Sequence, residues 1–258
     1  MTIFTRAIVR PPAPNFSEGL TTAGIGAPDY QLALDQHREY CAALEQCGLT
    51  LITLEPDPKY PDSTFVEDTA VLTDRCAVLA RLGAPSRAGE VAGIKDRLAN
   101  FYPGLMSIQA PGTLDGGDVC DAGEHFFIGI SKRTNRAGAR QLAEWLTKFS
   151  HTATLVDIRS EDQILHLKSG LSFLGGKRLA VTEALADRAE FHGYEIVRVP
   201  AGEDYAANCV LVNDRVLVAA GYPAFAGKLE QLSYQTIALE ISEFRRMDGG
   251  LSCLSLRF

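Results

Sequence analysis

Of the side chains able to do chemistry, Cys253 has the most suggestive setting. It follows Met247-Asp248-Gly249-Gly250, and the residues around and after it, Leu251 to Leu256, alternate as a half-buried strand does. A chain terminus of that kind is ordered when a sheet takes it up. That puts the sulfur at the start of a strand, just past a glycine turn that would expose it. Most of the other cysteines read as small buried hydrophobes. Cys41 and Cys47 fall on the helical stripe Ala33, His37, Tyr40, Cys41, Leu44, Cys47, while Cys120 and Cys209 sit in short strand-like runs. No Cys-x-x-Cys pair occurs, which argues against a zinc ribbon or a thioredoxin motif.

A reactive thiolate wants a cation beside it, most simply an imidazolium. Which histidine supplies it depends on the elements that carry it. The chain reads as a unit of strand, turn, strand, helix, strand, repeated four times at a period of roughly 40–55 residues. The first copy has strands at 69–72, 76–81 and 106–109, with a helix over 89–100. The second has strands at 118–120, 125–130 and 152–158, with a helix over 136–149. The third has strands at 170–174, 178–181 and 194–199, with a helix from Glu183. The fourth has strands at 207–212, 216–219 and 235–239, with a helix over 224–232. Hairpin signals recur between the first two strands of the units, at Ala122-Gly123, Gly175-Gly176 and Asn213-Asp214. A fifth unit follows if the terminal strand 251–256 pairs with 3–9, with a helix over 29–47 capped by Asp29 and ended by Gly48, and a strand at 49–54. The chain then closes as a ring of five α/β blades, with its two ends sharing one blade and no sheet edge left open in the ring. An ordinary open α/β sheet is the alternative on pattern alone.

The phase of the repeat locates a site. Immediately before each first hairpin strand stand Glu67-Asp68, then Asp115-Gly116-Gly117-Asp118, then His166-Leu167-Lys168, then Asn208, then Asp248 to Cys253. In a ring, equal phase is equal height and radius, so these residues converge on one polar pocket at one end of the axis. His166 is the general acid and base that meets Cys253 there. His37, His125, His151 and His192 read as structural. Asp62, Glu67, Asp68, Asp115 and Asp248 are too many carboxylates for a simple triad. They would repel one another unless a metal or a cationic ligand sits among them. A guanidinium fits best, being planar, always charged and bidentate toward carboxylates. Beside Cys253 it would also help form the thiolate. Asp118 reads as a turn residue and Asn208 as an axial hydrogen-bonding one.

With a formal charge of −7, the chain is no nucleic-acid binder. No apolar run reaches membrane-spanning length, and Met1 to Arg10 lacks the apolar centre of a leader. These features point to a cytoplasmic protein, with a homodimer left open. The loop from Pro11 to Pro28 is long enough for a lid.

Seven stretches in order, Pro61–Asp68, Gly83–Arg87, Leu114–Asp118, Ser131–Asn135, Leu165–Lys168, Ala206–Cys209 and Asp248–Cys253, resemble the dimethylarginine dimethylaminohydrolases of the guanidino-group-modifying (pentein) superfamily. The resemblance covers nearly the whole chain. It implies a single catalytic domain over residues 1–258, a five-bladed α/β propeller. It also implies hydrolysis of Nω-methylated arginines, cationic small amino acids, to citrulline and methylamines, with no cofactor. By position it makes Cys253 the nucleophile, His166 the general acid and base, and Asp115 the residue orienting His166. It places Glu67, Asp68 and Asp248 at or beside the guanidinium, and Arg87 and Arg133 at the α-carboxylate. Asp62 and Leu20 fall at the α-amino group, with Met247 in the same substrate-binding set. Zinc would find two ligands in Cys253 and His166, too few for a structural site. Two other activities stay open: an arginine deiminase-like hydrolase of free arginine, and a non-catalytic binding module on the same propeller.

Overall fold

The computed structural model describes residues 3–258; the first two residues of the Met1–Arg10 stretch read above lie outside it. In chain order the strands and α-helices are β1 (Arg6–Val9), α1 (Tyr30–Gln46), β2 (Thr50–Thr53), β3 (Ala70–Leu72), β4 (Ala77–Leu79), α2 (Val91–Leu98) and β5 (Leu105–Ser107). Then come β6 (Val119–Asp121), β7 (His125–Ile130), α3 (Arg136–Lys148), β8 (Thr152–Asp157), α4 (Leu167–Gly170), β9 (Leu171–Phe173), β10 (Arg178–Val181) and β11 (Glu195–Arg198). The last are β12 (Val210–Val212), β13 (Arg215–Ala219), α5 (Pro223–Gln231), β14 (Gln235–Leu239), α6 (Ser242–Arg245) and β15 (Leu256–Arg257).

The strands form five three-stranded sheets: β15-β1-β2, β3-β4-β5, β6-β7-β8, β9-β10-β11 and β12-β13-β14. In each, the middle strand is antiparallel to the first and parallel to the last. The middle strands are buried on both faces and so read as unbroken apolar runs, such as Phe126-Phe127-Ile128 and Leu179-Ala180-Val181. Their alternating side chains feed two different cores, because successive residues point to opposite faces. Phe126 and Ile128 pack with β4 and Val119 in one cluster, while Phe127 packs with Leu171 and Leu179 in the next. Five such clusters fill the five seams between neighbouring blades. The result is the expected five-bladed propeller.

Closure is shared by both chain ends. β1 pairs antiparallel with β15 through Ala7–Arg257 and Ile8–Leu256. The turn of the neighbouring blade ties in as well: Asn213, at φ +55°, accepts from the Phe4 amide and donates to the carbonyls of Phe4 and Cys47. Asp29 caps α1 by accepting from the Leu32 amide at 2.9 Å, as read from the sequence.

Two expectations fail locally. No α-helix follows Glu183; two 3₁₀ turns, Glu183–Leu185 and Ala189–Phe191, bridge β10 and β11 instead. The connection from Val181 to Glu195 is two residues shorter than that from Ala219 to Gln235, which holds the nine-residue α5. Tight 3₁₀ turns seat Leu185 and Phe191 in the seam without a full helix. The terminal strand is only Leu256–Arg257, because Ser252–Leu254 coil into a 3₁₀ turn, so Cys253 lies in that turn rather than on a strand.

Candidate active site

Each first hairpin strand is preceded by one helical turn: Val66–Thr69, Gly116–Asp118, α4, Asp204–Ala207 and Ser252–Leu254. These turns ring the axis, which is what equal phase demands. Adjacent residues of a turn point in different directions, however, and the convergence splits in two. Leu20, Asp62, Phe65, Asp68, Arg87, Arg133, Leu165, His166, Met247, Asp248, Gly249 and Cys253 line a small cavity of about 30 Å³. Glu67, Lys168, Ser252 and Arg257 line part of a second cavity of about 1020 Å³. The expectation of one polar pocket is therefore corrected to two, with a polar septum between them.

His166 is held from several sides. Its Nε2 meets Asp115 Oδ2 at 3.2 Å, and its amide donates to Ser169 Oγ at 3.4 Å. Asp115 is fully buried; its other oxygen accepts from the Gly83 amide at 2.8 Å, and its own amide donates to Thr134 Oγ1. Asp118 is not merely a turn residue. Its carboxylate crosses to the next blade, accepting from the Leu167 amide at 2.9 Å and from Ser131 Oγ at 2.7 Å. A Cβ on Gly117 would come within 2.7 Å of His166 Nδ1 and 2.9 Å of Asp68 Oδ1, so only glycine lets these groups approach.

Burial opposes charge on His166, yet Asp68, Asp115 and Asp118 raise its pKa to about 9. Asp68 feels a matching balance from other groups: burial works against its ionisation, but His166, Arg87 and the Gly117 amide hold its carboxyl down at about 2. Near neutrality the pair is imidazolium and carboxylate. Cys253 is half-buried, with the Gly250 amide donating to Sγ at 3.4 Å. Burial pushes its thiol up to about 12, and Glu67 and Asp68 add to that against the Gly250 amide and Lys168. A Cβ on Gly249 would strike the Phe65 ring at 2.2 Å, and one on Gly250 would meet the Asn208 side chain at 2.6 Å. The double glycine thus serves close packing around the sulfur rather than an exposing turn.

The carboxylates are already neutralised or hydrogen-bonded from within, which corrects the inference that they require an added cation. Arg87 Nη1 meets Asp68 Oδ2 at 2.7 Å. Asp62 accepts from the Leu20 amide at 3.1 Å. Asp248, at φ +57°, accepts from the Thr22 amide and hydroxyl. Glu67 does not line the small cavity, against the expectation that it flanks the guanidinium there. Ser252 Oγ donates to it at 2.8 Å, and Lys168 and Arg257 pair with it at 2.5 and 3.3 Å. Asn208 completes that septum, donating to the Lys168 carbonyl and to Ser252 Oγ. Its axial hydrogen bonds match the reading from phase. Asp68, Asp115 and His166 each have a ligand atom within 4.8 Å of the others, a set that could hold a metal ion; Arg87, Gly117 and Gly83 already bond to the two carboxylates. Arg133 lines the cavity and pairs with no carboxylate among the described residues. The loop Gly19 to Gly26 reaches the cavity through Leu20 and is tied down beside it. Beyond Leu20 and Thr22, Thr21 Oγ1 donates to the Arg246 carbonyl and Arg246 Nη1 to that of Ile25. Sequence reasoning gave no role to Phe65, Leu165, Glu90 or Ser252, although Phe65, Leu165 and Ser252 lie inside the stretches Pro61–Asp68, Leu165–Lys168 and Asp248–Cys253.

Comparison with known proteins bears directly on this geometry. The chain is 43% identical over 257 residues, 99% of its length and 100% of the relative, to an N(G),N(G)-dimethylarginine dimethylaminohydrolase of Pseudomonas aeruginosa. The chain belongs to the dimethylarginine dimethylaminohydrolase family. A family member from Streptomyces coelicolor is 34% identical across 98% of this chain and 96% of its own. The solved structure of the Pseudomonas aeruginosa enzyme, a cysteine-to-serine mutant complexed with citrulline, superposes with a TM-score of 0.96 over 100% of both chains, at 43% identity. The N-terminal domain of ArgZ, an arginine dihydrolase, is 19% identical with a TM-score of 0.84 over 99% of this chain and 97% of that one, a likeness of fold alone. No protein-family model matches the chain. No helix among the described residues is long and apolar enough to cross a membrane.

Proposed function

We propose that the chain hydrolyses Nω-methylated arginines, asymmetric dimethylarginine and monomethylarginine, to citrulline and dimethylamine or methylamine. The observation that carries this reading is a small dipolar cavity. It has a thiol and an imidazolium beside the Asp68 carboxylate, and a carboxylate-free arginine, Arg133, in the same wall. Such a cavity suits a zwitterion with a cationic side chain. The guanidinium lies against Asp68, with Asp248 beside it once Thr22 lets go. Arg133 takes the α-carboxylate, with Arg87 beside it in the same wall. Asp62, the Leu20 backbone and Met247 enclose the α-amino end.

Bound there, the guanidinium replaces water with a cation next to Cys253 and favours its thiolate. Sγ attacks the guanidinium carbon, and His166 gives its proton to the departing amine, leaving a covalent thiouronium. His166, now neutral, takes a proton from water as the water adds to the same carbon. The C–S bond breaks as the added hydroxyl loses its proton to solvent, and citrulline and the starting thiolate result, with His166 protonated again. Asp115 keeps the imidazole oriented throughout. A cavity of about 30 Å³ has room for about one water, so Gly19–Gly26 opens to admit substrate. All six cysteines are free, which agrees with a reducing, cytoplasmic setting.

Citrulline formation from asymmetric dimethylarginine and from arginine, measured side by side, tests the reading. Equal or faster turnover of arginine would favour the deiminase alternative, and no turnover of either would favour a binding module. Cys253→Ser should abolish turnover while substrate binding survives.

A further inference from the structure

Arg87 is gripped from the side away from the cavity. Glu90 Oε1 accepts from its Nε at 2.9 Å and Glu90 Oε2 from its Nη2 at 2.8 Å, a bidentate pair. The carbonyls of Phe65 and Asp62 lie 3.3 and 3.5 Å from the same Nη2. Only Nη1 is left to reach Asp68. Glu90 is 1% exposed and does not line the cavity. Nothing about the substrate requires a second carboxylate there, and burying one is costly without a purpose that offsets it.

The purpose follows from counting charges. Arg87 and Asp68 alone would form a closed, neutral pair, and Asp68 would offer a substrate guanidinium little net attraction. With Glu90 ionised, the group Glu90–Arg87–Asp68 carries one net negative charge, and its outermost member, Asp68, faces the His166 imidazolium. We propose that Glu90 is a positioning residue for substrate binding: its bidentate grip fixes the Arg87 fork on Asp68 and offsets the Arg87 charge, so that Arg87 does not cancel the charge that Asp68 offers the substrate. This rests on the reading of the cavity as a methylarginine site.

The groups facing Glu90 come from three segments: Arg87 from its own turn, Asp62 and Asp68 from the loop before β3, and Arg10 from the end of β1. Burial lifts the Glu90 carboxyl, with Asp68 and Asp62 adding to the rise against Arg87, and it comes to about 7. Ionisation near neutrality makes the effect visible in a pH profile.

The test is steady-state kinetics on asymmetric dimethylarginine across neutral pH for the wild type, Glu90→Gln and Glu90→Asp, with thermal unfolding of each. Glu90→Gln should raise KM about tenfold, with kcat changed less than about threefold. The wild type should show KM falling as pH rises through about 7; Glu90→Asp should keep that limb and Glu90→Gln should lose it. A folded Glu90→Gln protein with wild-type KM and an unchanged pH limb would overturn the proposal, as would loss of kcat alone. If Glu90→Gln does not fold, Glu90→Asp decides: its shorter reach should raise KM while keeping the limb, and an unchanged KM would overturn the proposal. A wild type that does not turn over the substrate would instead overturn the functional reading beneath it.

Discussion

A thiol pushed up to about 12 leaves a thiolate fraction of only about 10⁻⁵ at pH 7, so Cys253 should be a poor general nucleophile unless a cation lies beside it. The causes are burial and the two nearby carboxylates, Glu67 and Asp68. A cation lodged against Asp68 alters that balance. Two unit charges about 4 Å apart, at an effective dielectric of about 20, interact by about 4 kcal/mol, or roughly three pKa units. An electrophile that carries its own amidinium should therefore meet about a thousand times more thiolate than a neutral one of the same shape. The assay compares inactivation by chloroacetamidine and by chloroacetamide at pH 7, each rate divided by that for a free small thiol, with Cys253 confirmed as the labelled residue by peptide mass. A normalised ratio of at least about a hundred is expected. With the neutral reagent, the rate should still be climbing above pH 9. A normalised ratio near one, or a plateau with the neutral reagent by pH 8, would mean that the thiolate is formed without the ligand, and the substrate-assisted step would be wrong.

Three further outcomes follow from the same geometry. Asp118→Ala removes the acceptor for the Leu167 amide and for Ser131 Oγ in a fully buried place, and should cost about 2–4 kcal/mol of stability in urea unfolding; a loss below about 0.5 kcal/mol would contradict it. His166 is raised from 6.5 to about 9, so its contribution, up to about 3 kcal/mol and shared with Asp68, is full below pH 6.5 and lost as pH rises through 9. Unfolding free energy should fall over that window in the wild type and fall less in His166→Gln, and parallel curves would refute the assignment. Deleting Leu256 to Phe258 removes β15, its pairing with β1 and the Arg257–Glu67 ion pair, and should abolish cooperative thermal unfolding; a shortened chain that melts like the parent would show that closure does not depend on this clasp.

Much of the ring was legible from local signals. Middle strands such as Phe126 to Ile130 are apolar on both faces, Asn213-Asp214 marks a tight turn, and Asp29 and Gly48 bracket α1. Such signals depend on a few neighbouring residues, and they were repeated often enough for their period to imply a ring and their phase a common axis. The motifs then carried nearly all the cavity wall. Where the structure departed, the cause was distance in sequence. The Val181–Glu195 connection folds as two 3₁₀ turns, whereas the Ala219–Gln235 connection, only two residues longer, holds the nine-residue α5.

What the sequence alone determined was which residues reach the axis. Phase set that, because each blade repeats the same path. What only the tertiary structure decided was which way each one faces and what has already neutralised it. Glu67 and Asp68 are adjacent, as are Ser252 and Cys253, yet one of each pair belongs to the septum and the other to the catalytic cavity. That split is set by the pitch of a single 3₁₀ turn packed among four others. The charge state of Cys253 and His166 is likewise a sum over groups brought from four blades, and no stretch of chain contains those terms together. The terminal cysteine stretch marked the nucleophile; the packing around it holds that sulfur as a thiol until a cation arrives.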